Sequence, residues 1–540
     1  MKKVLALSIL MLSVIGLRSQ ESPDIKKTSI NRKVSGYSLA IDMETPLKSF
    51  LSMQYILTTG KQNLWSEISS FQLKNSVSDS NAPDKAVTEE AKKRELNMLI
   101  EEVVTYKDSV AAVIYRGASQ SERYIYWCGL ENGKWKNMGQ DLGGTSEETL
   151  QKVKTQQEKN LKKLNISKRL QKLPANTGIF AEYIKTNGIS PQDYLLKKLS
   201  GNKIVIYGEL HRRRISWDLL KTVIQNPLFV KTTGTVFMEL PSHAQQRIDA
   251  IFSEDVLNTE KLLDIFRDEQ IIGWYDKGEY EFIVELWNLN KRLPDAQKIR
   301  IILADYQAPF SEIKNRQEFE DYPVVGRNTH MADIIERHMK STTDTRNGLF
   351  IVGLLHAYKS DAVQYVYTNQ GREEELSAGA QLNLRFPGTI FSIIQHIPSI
   401  SNSGRLNGLV RGGTFDKAFK MNENIPVAFD LKGSPFGNEP FDSEISLIYR
   451  EETQDYENNY DGYIFFGPLK IEKDEYLLYE AITPEFVDEI KRRIGYFDPQ
   501  GRQRWFGPDY KAEELDAKIL KDYLKRKSEG RKRWEQLFED

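Results

Sequence analysis

Apolar residues recur along this chain in two rhythms, and the rhythm changes near residue 200. Leu47, Phe50, Leu51 and Tyr55 fall at helical spacing in the run Thr45-Pro46-Leu47 through Ile56. A second apolar-periodic run covers about 88–103. Short β-branched and aromatic runs follow at Ser109–Tyr115 and Arg123–Cys128. The turn signal Asn132-Gly133 then leads into a further strand, Lys134–Met138. Helices followed by a meandering sheet predict a small α+β domain over 22–145, with residues 22–45 a polar, flexible lead. Residues 146–195 are rich in charge and read as a solvated helical linker.

Beyond 200 the texture becomes alternating. Strands are predicted at Lys203–Tyr207, Thr235–Met238, Lys298–Ala304 and Leu349–Val352. Helical stretches fall between them, to about 226, over 242–253, about 279–292 and about 328–340. This order predicts an α/β domain over 196–505, its sheet mainly parallel and covered by helices on both faces. Strands at Thr389–Gln395, Val427–Leu431 and Tyr463–Phe466, and a helix over about 483–493, continue it. Residues 506–540 are dense in charge and read as an exposed helical tail.

Composition narrows the function classes. The 540 residues include 75 basic and 76 acidic side chains, for a net charge of −1. That balance gives no argument for nucleic acid or an anionic membrane as partner. Lys2 and Lys3 precede an almost wholly apolar run from Val4 to Leu17, closed by Arg18-Ser19-Gln20-Glu21. This predicts a cleavable signal peptide over 1–20 and a periplasmic or secreted product. The run is too short for a confident membrane span, and no cysteine stands near the cleavage point, so no stable membrane anchor is expected. The single cysteine, Cys128, forbids an intramolecular disulfide. Its strand context predicts a buried apolar role rather than a catalytic thiol.

The candidate chemistry sits where strands end, because ligands of open α/β sheets bind beyond the carboxyl ends of their strands. The first strand runs into Gly208-Glu209-Leu210-His211, the second into Glu239, the third into Asp305, and the fourth into Gly353-Leu354-Leu355-His356. A histidine near neutrality can take a proton from water, and a carboxylate beside it fixes the tautomer. Only six histidines exist, and two fall at matching places after apolar strands. Taken singly, each motif is as well explained by a helix cap or a polar pair, and Asp305 by a strand terminus. Arg212, Arg213 and Arg214 either hold an anionic group or form a solvated face. His243, His330 and His338 are expected on surfaces or in packing, with His396 in reserve.

These residues carry a family resemblance. Gly208–His211, the run around Glu239 (VFMELPSHAQQRIDAIF), RNTHMADII and GLFIVGLLHA with His356 resemble the superfamily of erythromycin esterases, ChaN-like haem-binding lipoproteins and TIKI/TraB proteins. The likeness covers about 195–360, and more loosely to about 500. It implies an active centre of Glu209, His211, Glu239 and His356, with Arg327 as a further carry-over. The shorter Gly-Glu-x-His spacing is closer to the ChaN and TraB branch, and the lipoprotein cysteine of ChaN is missing. The ending YIYWCGLENGKWKNMG resembles nuclear-transport-factor-like (cystatin-like) domains.

Three functions follow as expectations. The first is a hydrolase of an ester or amide, of small-molecule or peptide class. There His211 is the general base, Glu209 or Glu239 orients it, and His356 and Arg327 stabilise the oxyanion. A divalent metal held by His211, Glu239 and His356 is its variant. The second is reversible binding of haem, with Tyr207, Tyr306, Tyr358 and the histidines as axial contacts; no Cys-x-x-Cys-His motif is present. The third is a surface or scaffold protein without catalysis.

Overall fold

The structure is a computed structural model that describes residues 24–70, 86–144, 148–149, 151–158, 169–170, 172–269, 275–361, 363–368, 371–400, 406–442, 455–469, 472, 475–497 and 514–528. The expected signal peptide over 1–20 lies outside them. The chain divides into two compact units, 1–167 and 168–540.

In the first unit five strands, β1 (Ile25–Lys33), β2 (Leu99–Tyr106), β3 (Val110–Arg116), β4 (Arg123–Glu131) and β5 (Lys134–Leu142), form an antiparallel sheet in sequential order. The helices Pro46–Thr59 and Glu89–Leu96 belong to the same unit. Thr45 caps the first by accepting the Lys48 N–H, and Gly60, left-handed at φ 75°, ends it. Asn132 and Gly133 both adopt positive φ, 50° and 75°, the backbone that a tight β4–β5 hairpin requires. Cys128 is buried, and burial pushes its thiol well above the ordinary value. Two expectations are corrected. The polar lead contains β1, an edge strand that exposes most of its side chains and so shows no readable alternation. The run 88–103 is a helix that gives way to β2 after Asn97.

The second unit is built on a seven-stranded sheet. Its strands are β6 (Ile204–Glu209), β7 (Thr233–Pro241), β8 (Arg300–Asp305), β9 (Asn347–Gly353), β12 (Ile390–Gln395), β15 (Val427–Asp430) and β16 (Gly462–Phe465). Two small hairpins stand apart from it, β10 (Val363–Thr368) with β11 (Gly371–Leu376) and β13 (Ser399–Ile400) with β14 (Leu406–Gly408). The order in the large sheet is β15-β16-β12-β6-β9-β7-β8, and every pairing except β15 with β16 is parallel.

Both faces of the sheet are covered, and alternate side chains show it. Ile204 and Ile206 enter a core cluster with Phe237, Phe350 and Val352. Val205 and Tyr207 enter the other, with Val236, Met238, Leu349 and Ile351. Strands buried on both sides read as continuous apolar runs, which is why these four were legible. The helices Gly178–Asn187 and Pro191–Gly201 fall within this unit and bury Phe180, Ile184, Tyr194 and Leu199, so the expected linker over 146–195 ends well before 195.

The tail is also corrected. Within 506–540 the helix Ala517–Ser528 is amphipathic, and Leu515 and Leu520 join the core that holds Ile490 and Ile494 of the preceding helix, Pro484–Phe497. Truncating Leu520 to Ala should lower the unfolding free energy by about 2–5 kcal/mol in chemical denaturation. A change within about 0.5 kcal/mol would mean that the helix is solvated, as its charge density alone implies.

Candidate active site

Strand order decides which chain ends meet. β6, β9, β7 and β8 are consecutive and parallel, so Glu209, Gly353, Glu239 and Asp305 come to one edge. Glu209 pairs in register with Gly353, and Pro241 with Asp305. The direction of chain travel reverses around β6, and such a switch point opens a crevice at the carboxyl edge.

Glu239 stands at the centre of the group. Its Oε2 accepts the Gly353 N–H at 2.7 Å, and its Oε1 accepts Arg327 Nη2 at 2.9 Å. His356 Nε2 lies 3.4 Å from the same Oε1. A side-chain carbon at Gly353 would sit 3.0 Å from His211 Nε2 and 3.3 Å from Glu239 Oε2, so glycine lets imidazole and carboxylate close over the end of β9 without crowding. Arg327 opens the helix Arg327–Ser341, where its charge opposes the helix dipole. A two-pronged bond to Asp305 (2.8 and 2.6 Å) and the bond to Glu239 hold it there. Asp305, at first a mere strand terminus, is thus the anchor of Arg327.

The two histidines are held differently. His211 Nδ1 lies 2.5 Å from Glu209 Oε1. Burial works against its charge, but Glu209, with Glu239 beyond it, outweighs burial and raises the imidazolium to about 9. His356 Nδ1 lies 2.7 Å from Asn328 Oδ1. The Asn328 amide is oriented by its neighbours, since Oδ1 accepts the Ala378 N–H and Nδ2 donates to Glu375 Oε2. His356 Nδ1 therefore carries the proton, and Nε2 turns a lone pair toward Glu239. Burial pulls the His356 pKa below the ordinary imidazole value, with Arg327 and His211 acting in the same direction against Glu239 and Asp305. Burial opposes the charge on Glu239 too, yet His356, His211 and Arg327 hold its carboxyl below the usual range. The two histidines are thus pushed in opposite directions, His211 up by Glu209 and His356 down by burial.

Sequence reasoning missed Asp276, whose signal was an N-cap in Asp276-Lys-Gly-Glu279. Its Oδ1 caps the helix Lys277–Arg292, while Oδ2 accepts the Arg212 N–H at 2.6 Å and the Trp217 indole N–H at 2.9 Å. Arg212 sits at φ 62°, an uncommon backbone for this residue, and Asp276 fixes the turn one residue past His211. Burial, then Glu209, raises Asp276 to about 6. Burial, then the charges of Glu269, Asp276, Glu209 and Glu239, pushes the Glu279 carboxyl well above its ordinary range. The arginine run is neither alternative alone. Arg213 is fully buried and bonds Glu472, Gln395 and the His396 carbonyl, Arg212 pairs with Glu475, and Arg214 is exposed.

The metal variant does not fit. Glu239 already spends both oxygens, and among the described residues no group of three or more His, Cys, Asp or Glu is disposed to hold a metal ion. The haem tyrosines do not converge either. Tyr207 is fully buried beside Ser216 on the far core cluster, Tyr358 is buried, and Tyr306 donates to the Pro323 carbonyl. His396 is buried with both ring nitrogens engaged, by Tyr463 and Asp416. His243 pairs with Asp268, His338 with Thr235, and His330 with Ser242. A cavity of about 450 Å³ lies at the opposite end of β7 and β8, lined by Thr235, Arg300 and His338, and does not include this centre.

The raised His211 has a consequence for stability. The folded chain binds its proton more tightly than the unfolded chain, so this contribution is complete below about pH 6.5 and is lost as pH rises through about 9. In denaturation experiments the deficit of His211→Gln against wild type should be largest below pH 6.5 and shrink above 9. A deficit independent of pH would contradict the pairing with Glu209.

No family model and no curated protein matches the chain. Among solved structures it is similar to a mutant erythromycin esterase in its open conformation, with 9% identity over 50% of this chain and 92% of that one and a TM-score of 0.35. It is similar to a succinoglycan biosynthesis protein, with 8% identity over 54% and 97% and a TM-score of 0.37. It is also similar to ChaN of Campylobacter jejuni with cofacial haem, with 14% identity over 39% and 88% and a TM-score of 0.25.

Proposed function

We propose that this chain is an exported hydrolase that activates water at the Glu209–His211–Glu239–His356 centre against an ester or amide of a small molecule or peptide. The observation that carries the reading is geometric: the buried Glu239 has Arg327 at 2.9 Å and His356 Nε2 at 3.4 Å from one oxygen, beside a His211 paired with Glu209, and the surroundings push the two histidines in opposite directions. Groups whose environments push their pKa values apart supply an acid and a base at one pH.

His356 Nε2 lies 3.4 Å from Glu239 Oε1. A water that donates to His356 Nε2 keeps its oxygen free for attack. His356 takes one proton as hydroxide adds to the acyl carbon. The carbonyl oxygen gains negative charge, and the His211 imidazolium and the Arg327 guanidinium are the positive groups next to Glu239 that can stabilise it. His356 then returns the proton to the leaving alkoxide or amine as its bond to carbon breaks. Glu209 keeps His211 charged, Asn328 keeps the His356 tautomer, and Asp305 keeps Arg327 in place.

Export rests on the Lys2-Lys3 start and the apolar run Val4–Leu17. No described helix is long and apolar enough to cross a membrane. The alternative of haem binding without catalysis would rest on the histidines, because Tyr207 and Tyr358 are buried and Tyr306 is bonded to the Pro323 carbonyl.

Substituting His356 by Ala should lower hydrolysis of a responsive ester about 10²–10⁴-fold with the fold retained by circular dichroism. Activity should rise with pH as His356 loses its proton, below the ordinary imidazole value, and fall again near pH 9 as His211 loses its own. Full activity in the His356 variant, or a profile still rising beyond pH 9, would remove this assignment.

A further inference from the structure

His330, expected on a surface or in packing, takes no part in the centre above. β7 ends at Pro241, and Ser242 begins a short 3-10 turn that leads into the helix Gln245–Ser253. Ser242 Oγ and His330 Nε2 lie 2.8 Å apart. Both residues are half-buried, so the pair is neither sealed in the core nor loose on the surface.

The imidazole is fixed from two sides. Tyr306 meets it edge to face at 5.0 Å, and Tyr306 is itself held by stacking on Tyr322 and by its bond to the Pro323 carbonyl. Burial lowers the His330 pKa, so the ring is neutral and able to accept a proton at pH 7. The charged groups facing it are Asp305 and Asp333, which favour protonation, and Arg337, which opposes it. His330 also lies three residues after Arg327 on one helix, which puts it one turn along the same face.

We propose that Ser242 and His330 are a nucleophile–base pair, a second centre on the same sheet edge, which takes the acyl group of a carboxylic ester. The geometry is that of an activated hydroxyl, with nucleophile and base in direct hydrogen-bond contact and the base oriented by its neighbours. In the reaction Ser242 Oγ bonds the acyl carbon while its proton passes to His330 Nε2. The bond from that carbon to the alcohol oxygen then breaks, and the alcohol departs with the proton from His330. Water releases the acid from the acyl-serine by the same transfer, with His330 as base. This goes beyond the water-activating role of His356 and does not depend on it.

The test is covalent labelling of the full-length chain with a fluorophosphonate ester, read by peptide mass spectrometry. Attack by Oγ displaces fluoride and leaves a stable phosphonyl-serine. A single adduct is expected on Ser242, absent from Ser242→Ala and from chain unfolded in urea. Its rate should fall about 100-fold or more in His330→Gln. In wild type the rate should also rise between about pH 5 and 8 with an apparent pKa below the ordinary imidazole value, a readout that needs no folded variant. No adduct on Ser242 in the folded chain, an equal rate in His330→Gln, or a flat pH profile would overturn the pair. Labelling requires no turnover, so a failed His356 hydrolysis assay leaves it standing, and a failed labelling leaves the His356 reading untouched.

Discussion

A carboxylate buried among two imidazoles and a guanidinium has to settle its charge inside the protein, and Glu239 does so at the expense of its neighbours. Arg327 and the Gly353 N–H take up its oxygens. A buried charge left without such partners costs several kcal/mol. Glu239 therefore binds the ends of β7 and β9 and the start of the helix Arg327–Ser341 to one another. The same arrangement sets the histidines apart. The one in contact with a second carboxylate, Glu209, is pushed up, and the one braced by a neutral amide, Asn328, is pulled down by burial.

The fold serves this constraint through strand order rather than through any single motif. Glu209, Glu239, Asp305 and His356 are spread over some 150 residues of chain, and only a parallel sheet with β6, β9, β7 and β8 side by side brings them together. Behind the edge, Asp276 and Glu279 form a second layer. Asp276 ties the turn after His211 to the helix Lys277–Arg292, and burial pushes the Glu279 carboxyl up beside it. Arg213, buried and bonded to Glu472 and to the end of β12, locks the other flank of the same turn.

Much of this was legible in the chain because the second unit buries its strands on both faces. Continuous apolar runs such as Lys203–Tyr207 and Leu349–Val352 name themselves, and their ends name the site. What escaped notice was polar and distant. Nothing local tells that Asn328 faces His356, that Asp276 reaches the turn after His211, or that Asp305 grips Arg327. Those pairings span 22 to 64 residues and exist only after the sheet has formed. The roles of the two histidines were also unreadable, because a pKa depends on burial and neighbours rather than on spacing. On the surface the opposite error arose: β1 shows no alternation because it lies at a sheet edge, and Leu515 and Leu520 are masked by the charges around them.

The central claim is that one carboxylate sits between a charged and a neutral imidazole. Nitrogen-resolved NMR titration of the histidine side chains tests it most directly. His211 should keep both ring protons until about pH 9, while at pH 7 His356 should be neutral with its proton on Nδ1. Two histidines that titrate together near the ordinary imidazole value, or a His356 that holds its second proton longer than His211, would contradict the account.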